Sequence, residues 1–147
     1  MIFGISLQPF YAAIPAAAAL ASLDIMDREP DRLRRLAANG HRFLSRAKNA
    51  GLDTGPSAGF SVVPVIVGDS IGAVTLCNRL LKRGINALPI VFPAVAEKSA
   101  RIRFFITSEH SDAQIDRAVD ATAEELAAIR QKNTRFSDLV RNGSAPE

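Results

Sequence analysis

Residues 100–120, ARIRFFITSEHSDAQIDRAVD, change their repeat in mid-course, and that change restricts the fold more than any other segment. From Arg101 to Ile106 the pattern has period two. Ile102, Phe104 and Ile106 fall on one side and Arg101, Arg103 and Phe105 on the other, because strand side chains alternate. Past Ser111 the spacing is helical, with Ile115, Val119, Thr122, Leu126 and Ile129 on one stripe. Ser111 and Gln114 have the S-x-x-Q spacing of a capping box, in which each side chain satisfies the other's backbone N–H. The apolar face of this strand can be buried against a helix, which leaves its arginines on the opposite face. There they can be solvated, the reading that spacing alone favours. A guanidinium on a rigid strand beside a cleft can also grip a carboxylate through two parallel hydrogen bonds.

The rest of the chain supplies the covering layers. Pro9 suits the first turn of a helix running to about Met26, with Pro15 inside it. That helix is alanine-rich and apolar nearly all round, so it needs cover on several sides, partly from another chain or domain. Pro30 starts a second helix, with Leu33, Leu36, Ala37, Gly40, Leu44 and Ala47 at helical spacing and Gly51 at its end. FSVVPVIVG, 60–68, reads as a strand that Pro64 confines to an edge or to a position free of pairing. Asp69 or Ser70 opens a third helix, closed by Lys82, Arg83 and Gly84. INALPIVF, 85–92, reads as a second strand, and the pattern dissolves from Gln131 into a frayed tail. The predicted fold is α+β, a small, mainly antiparallel sheet of about three strands with helices packed on one face. Its parts are an apolar helix over 1–28, an α+β unit over 29–132 and a flexible tail over 133–147.

With 147 residues, 48% of them apolar, the chain can bury one real core. The first 23 residues carry no charge, yet a signal peptide or membrane span is disfavoured. No Lys or Arg precedes the apolar run, and Gln8, Pro9 and Pro15 interrupt it. The lone Cys77, in AVTLCNRLL, reads as a buried thiol of a reducing, cytoplasmic compartment. Two histidines and one cysteine, far apart, give no metal-binding spacing. His41 reads as a helix-surface or packing residue. The basic run Arg28, Arg32, Arg34, Arg35, Arg42, Arg46 and Lys48 has no interleaved aromatics and is diluted by Glu29, Asp31 and Asp53. It reads as a solvated or interfacial helix face rather than a nucleic-acid site. No GxGxxG, phosphate loop or nucleophile elbow is present. His110, just before the cap, reads as a structural corner with Ser111, since no carboxylate or serine nucleophile is patterned beside it.

Taken together, three segments resemble the C-terminal part of the α-oxoamine synthases, a pyridoxal-phosphate family. FGISLQPFYAAIPAAAALASLDIM resembles the family's aromatic-S-x-S-L-P-P segment and alanine-rich helix. GLDTGPSAGFSVVPVIVGDS resembles its small-residue lead into an S-x-I-V-P-V strand ending in Gly-Asp. RGINALPIVFPAVAEKSARIRFFITSEHSDAQID resembles its G-I-x-V-x-x-I-x-P-P-x-V, A-R-L-R and A-x-H-T-x-x-x-I-D elements, in order.

The resemblance implies fold-type-I homodimers that condense an amino acid with an acyl thioester. It places the family's substrate-carboxylate arginine, the second of A-R-L-R, on Arg103. Arg101 is then a supporting or surface residue. The family's Schiff-base lysine precedes this region, and none of Lys48, Lys82, Lys98 or Lys132 lies in a matching context. The chain therefore resembles a small domain that needs a large catalytic domain as partner, that is inactive alone, and that binds no pyridoxal phosphate by itself. Near the start, the family's phosphate-reaching hydroxyl residues correspond to Gly4 and Ile5, leaving only Ser6 as a weak cofactor contact. FPAVA replaces P-P-T-V-P, which puts Ala94 where a hydroxyl often meets substrate. The alternative is a non-catalytic α+β module for dimerisation or small-acid binding.

Overall fold

A computed structural model describes the backbone of residues 8–142 and the side chains of 15–132. Ser6 and its neighbours Gly4 and Ile5 lie outside the described residues. Helix α1, Gln8–Arg28, leads into α2, Pro30–Asn49, and the first strand, β1, is Val62–Ile66. Helix α3 (Ser70–Lys82), strand β2 (Leu88–Ile90), a 3-10 turn at Glu97–Ser99, strand β3 (Arg101–Phe105) and helix α4 (Asp112–Asn142) follow. The three strands form one antiparallel sheet in the order β1-β3-β2.

The register explains both strand prolines. Ile106 N–H donates to Ser61 O at 2.7 Å, so alternate residues of β3, Phe104 and Ile102, exchange hydrogen bonds with β1. Arg103 and Arg101 then face β2, where they stand opposite Leu88 and Ile90. Pro64, opposite Arg103, and Pro89, opposite Ile102, each fall where an N–H would point away from the sheet. Both edge strands thus carry a proline whose missing donor costs no ladder bond. The expected strand over 85–92 is cut to Leu88–Ile90, with a turn following at Phe92.

One face of the sheet carries the core. Val63, Val65, Ile102 and Phe104 meet Phe43 and Leu44 of α2, Leu76 and Leu80 of α3, and Ile115, Val119 and Leu126 of α4. Phe43 and Phe104 stack with ring centroids 4.8 Å apart. The buried stripe of α2 begins later than its apolar spacing predicts, at Asn39, while Leu33 and Ala37 are exposed. Gly40 is buried because the loop at Gly59 and Phe60 crosses it. A Cβ there would press on Gly59 O and lie 2.7 Å from Phe60 O. Cys77 is buried, and burial pushes its thiol up to about 11.

Two expectations need correction. The alanine-rich helix α1 is not buried within this chain. Every described residue of it is exposed, including Leu20, Leu23, Ile25 and Met26, because the core layer ends at α2. The flexible tail expected over 133–147 is helical to Asn142, since no Gly or Pro interrupts the chain before Gly143. Among the described residues, no helix is long and apolar enough to cross a membrane.

Candidate functional site

The described residues cover the face of the sheet away from the core only in part: Val62, Leu88 and Phe105 are exposed, and Pro64, Ile66, Ile90, Arg101 and Arg103 are half-buried. Read through the register, this face carries Val62, Pro64 and Ile66 of β1, Arg101, Arg103 and Phe105 of β3, and Leu88 and Ile90 of β2. Arg103 stands at its centre, on the middle strand, with Pro64 on one side and Leu88 on the other. No acidic residue shares this face.

The two arginines are placed differently. Arg101 Nε donates to Ser99 O at 2.8 Å, which ties it to the end of the sheet. Among the described residues, no carboxylate or carbonyl pairs with Arg103. Its Nε is buried without a hydrogen bond, and its guanidinium carbon lies 5.6 Å from the Phe105 ring centroid. A buried unsatisfied donor costs about 1–3 kcal/mol, more when charged. The basic run on α2 makes the contrast clear. Arg32 pairs with Glu29 and Glu109, Arg34 with Asp31, Arg42 with Asp112 and Asp116, and Arg46 with Asp116 and Asp120. Arg42 and Arg46 join α2 to α4, Arg32 ties the start of α2 to the corner at Glu109, and Arg34 pairs within α2. Among the described residues Arg103 makes no ion pair, and its chemistry suits an incoming carboxylate.

His110 and Ser111 build the corner from β3 into α4. Thr107 N–H donates to His110 Nδ1 at 3.0 Å, so the neutral ring carries its proton on Nε2. Ser111 N–H donates to Gln114 Oε1 at 2.9 Å, and Gln114 N–H to Ser111 Oγ at 3.3 Å, the two bonds of a capping box. Asn39 completes the corner by donating from Nδ2 to Thr107 O and His110 O, both at 2.9 Å. Sequence reasoning missed Asn39. Its signal was a small polar residue inside the apolar stripe of α2.

Glu97 was missed as well. Ser70 donates to it from its backbone N–H at 2.7 Å and from its hydroxyl at 2.6 Å. The Ser70 hydroxyl, then its N–H, hold the Glu97 carboxyl below the usual range. Phe92 N–H reaches the same hydroxyl at 3.3 Å. The loop that carries Ala94 is thereby pinned to the start of α3, beside the strand end that leads to Arg103.

A concavity of about 320 Å³ excludes Arg103 but takes in its neighbour Phe105. Phe43, Phe104, Ile106, His110, Gln114 and Arg117 are among its lining residues. Arg117 already donates to Arg83 O at 2.9 Å there. An unclaimed buried guanidinium nitrogen is the stronger pointer to a ligand than an open hollow, so the site is placed at Arg103.

A match to the aminotransferase class I and II family spans residues 3–121. The chain belongs to that family. It is 41% identical over 109 residues to the 8-amino-7-oxononanoate synthase of Symbiobacterium thermophilum, covering 74% of this chain and 28% of that protein. It is 39% identical over 112 residues to the 4-hydroxy-2,2'-bipyrrole-5-methanol synthase of a Serratia strain, covering 74% of this chain and 17% of that protein. Its fold matches serine palmitoyltransferase from S. paucimobilis, solved with a bound pyridoxal-phosphate–myriocin adduct, at TM-score 0.69 and 22% identity. That match covers 77% of this chain and 29% of the other. These similarities agree with an α-oxoamine synthase domain, as the sequence resemblance implies. The chain spans less than a third of the length of these relatives.

The residues described here do not by themselves fit pyridoxal phosphate. Lys48 and Lys82 sit in the last turns of α2 and α3, Lys98 in the 3-10 turn and Lys132 on α4, all exposed. None shares the face of Arg103. Among the described residues, no three His, Cys, Asp or Glu side chains are grouped to hold a metal ion.

Proposed function

We propose that this chain is the C-terminal domain of a pyridoxal-phosphate-dependent, α-oxoamine synthase-like acyltransferase. Its contribution to the reaction is the grip on the amino-acid carboxylate, made by Arg103. The observation that carries this reading is a buried, unpartnered guanidinium nitrogen on an acid-free, only partly covered sheet face. Holding the carboxylate on a rigid strand would orient the amino acid's α-carbon and its bonds toward the reacting centre. The lysine and the groups that hold the cofactor belong to a large catalytic domain, on the same or a separate polypeptide, and the working form is a homodimer. Exposed Leu20, Leu23, Ile25 and Met26 of α1 support such a partner, since an apolar helix of this kind is stable when covered. On this reading the chain alone is inactive.

The test is a chimera in which residues 3–121 replace the matching segment of the Symbiobacterium thermophilum synthase. Condensation should be retained, and Arg103→Gln should lower kcat/KM for the amino acid by about 30- to 100-fold, the loss of one charge-assisted bidentate pair. The KM for the acyl thioester should barely move. An active chimera whose amino-acid kinetics ignore Arg103→Gln would refute the assignment.

A further inference from the structure

Nothing about a carboxylate-binding arginine requires an aromatic neighbour, yet Arg103 has one on its own strand. Phe105 lies two residues along, on the same face, and is half exposed. Its ring faces the Arg103 guanidinium at 5.6 Å, within the range of a cation–π contact. A free arginine side chain on an open sheet face samples several rotamers, and each rotamer lost on binding weakens the grip. Arg103 lacks an ion pair of the kind that fixes Arg42 and Arg46, and its flanking residues Pro64 and Leu88 offer no polar anchor. Among the described residues, only the ring is left to hold it.

We propose that Phe105 is the positioning residue for Arg103. The ring holds the guanidinium in one plane, so that with Nε buried the two terminal amines meet the carboxylate end-on. This rests on the carboxylate reading above for its purpose, though not for its geometry. The contact is electrostatic and needs a π face, so an aliphatic side chain of similar size does not replace it. Tyrosine does.

The experiment follows the Arg103 Nε–H proton in ¹H–¹⁵N spectra of the full chain. Without ligand, it should show a ring-current shift and slow exchange with water. Phe105→Leu should abolish the shift and speed exchange severalfold, while Phe105→Tyr restores both. The core amide pattern shows that each variant is folded. Sodium propionate then serves as the probe. Its affinity should fall about two- to fivefold in Phe105→Leu and return in Phe105→Tyr. Unchanged exchange and shift in Phe105→Leu would overturn the proposal. So would propionate binding equal to wild type in that variant, although the carboxylate reading would survive. If wild type itself binds no propionate, the carboxylate reading fails, and the ligand-free spectra still decide what Phe105 does.

Discussion

Asn39 and Gly40 show how much a single position can carry at the junction of α2 with the sheet. Asn39 is the one described side chain that bonds two backbone carbonyls of the corner, so Asn39→Ala leaves both without that donor. The expected cost is about 1–3 kcal/mol in urea unfolding. Asn39→Asp should cost more, because a carboxylate would face two carbonyl oxygens. Gly40→Ala forces a methyl group onto Gly59 O and Phe60 O, both backbone atoms, and should cost about 1–3 kcal/mol. A variant as stable as wild type would mean that the 59–60 loop gives way freely. Neither role was legible in the sequence, where Gly40 stood out only as a small member of an apolar stripe. What fixes it is a loop that returns nearly twenty residues later. By contrast, the two sides of β3 could be read directly, because alternation is a property of the strand itself. Spacing alone left Arg103 undecided between solvent and ligand, and the family resemblance gave it a role. The structure adds that its Nε is buried without a hydrogen bond.

At the scale of elements, two ladders of charge hold the helical layer. Asp112, Asp116 and Asp120 recur every four residues along α4 and meet Arg42 and Arg46 of α2, also four apart. Arg79 of α3 and Arg83, just past its end, meet the adjacent Glu124 and Glu125 of α4. Arg42 and Arg46 of the basic run are therefore one half of a helix seam. Its acidic half lay too distant in sequence to be recognised as such. The hydrogen bond from Arg42 holds the Asp116 carboxyl below its usual range, and that from Arg79 does the same for Glu125. A carboxyl depressed in the folded state stabilises the fold above its unfolded pKa, about 4. That contribution is lost as pH falls through the lower folded value. The urea midpoint should therefore drop as pH is lowered from about 5 to 3, and Arg42→Gln should flatten the dependence. An unaltered pH profile in Arg42→Gln would show that the seam contributes nothing. Helix caps were legible because their partners are local, as with Asp69, which accepts from Gly72 N–H, and with the Ser111–Gln114 box. The reach of α4 was not, because its later turns follow from the lack of a breaker rather than from an apolar stripe.

For the whole molecule, the layers are uneven. Three helices cover one face of the sheet, the other face is left partly open, and α1 carries exposed leucine, isoleucine and methionine outside the core. Removing residues 1–28 should therefore leave a folded unit whose Tm shifts by only a few degrees. Self-association, measured by analytical ultracentrifugation, should fall in the same variant. A large loss of Tm would mean that α1 belongs to the core after all. The fold class was legible from the order of periodic segments, and the open face followed from a strand that sets two arginines opposite its buried side. The exposure of α1 was not, because a sequence apolar all round says that cover is needed without saying what supplies it. The function proposed for this domain requires a carboxylate site on the open face. The most direct measurement is a ¹H–¹⁵N titration of the chain with sodium propionate against a sodium chloride control. Binding with Kd on the order of 1–10 mM is expected, with shifts concentrated on β3 and Leu88 and absent from Arg103→Gln. The same shifts in Arg103→Gln, or none on this face in the wild-type chain, would contradict it.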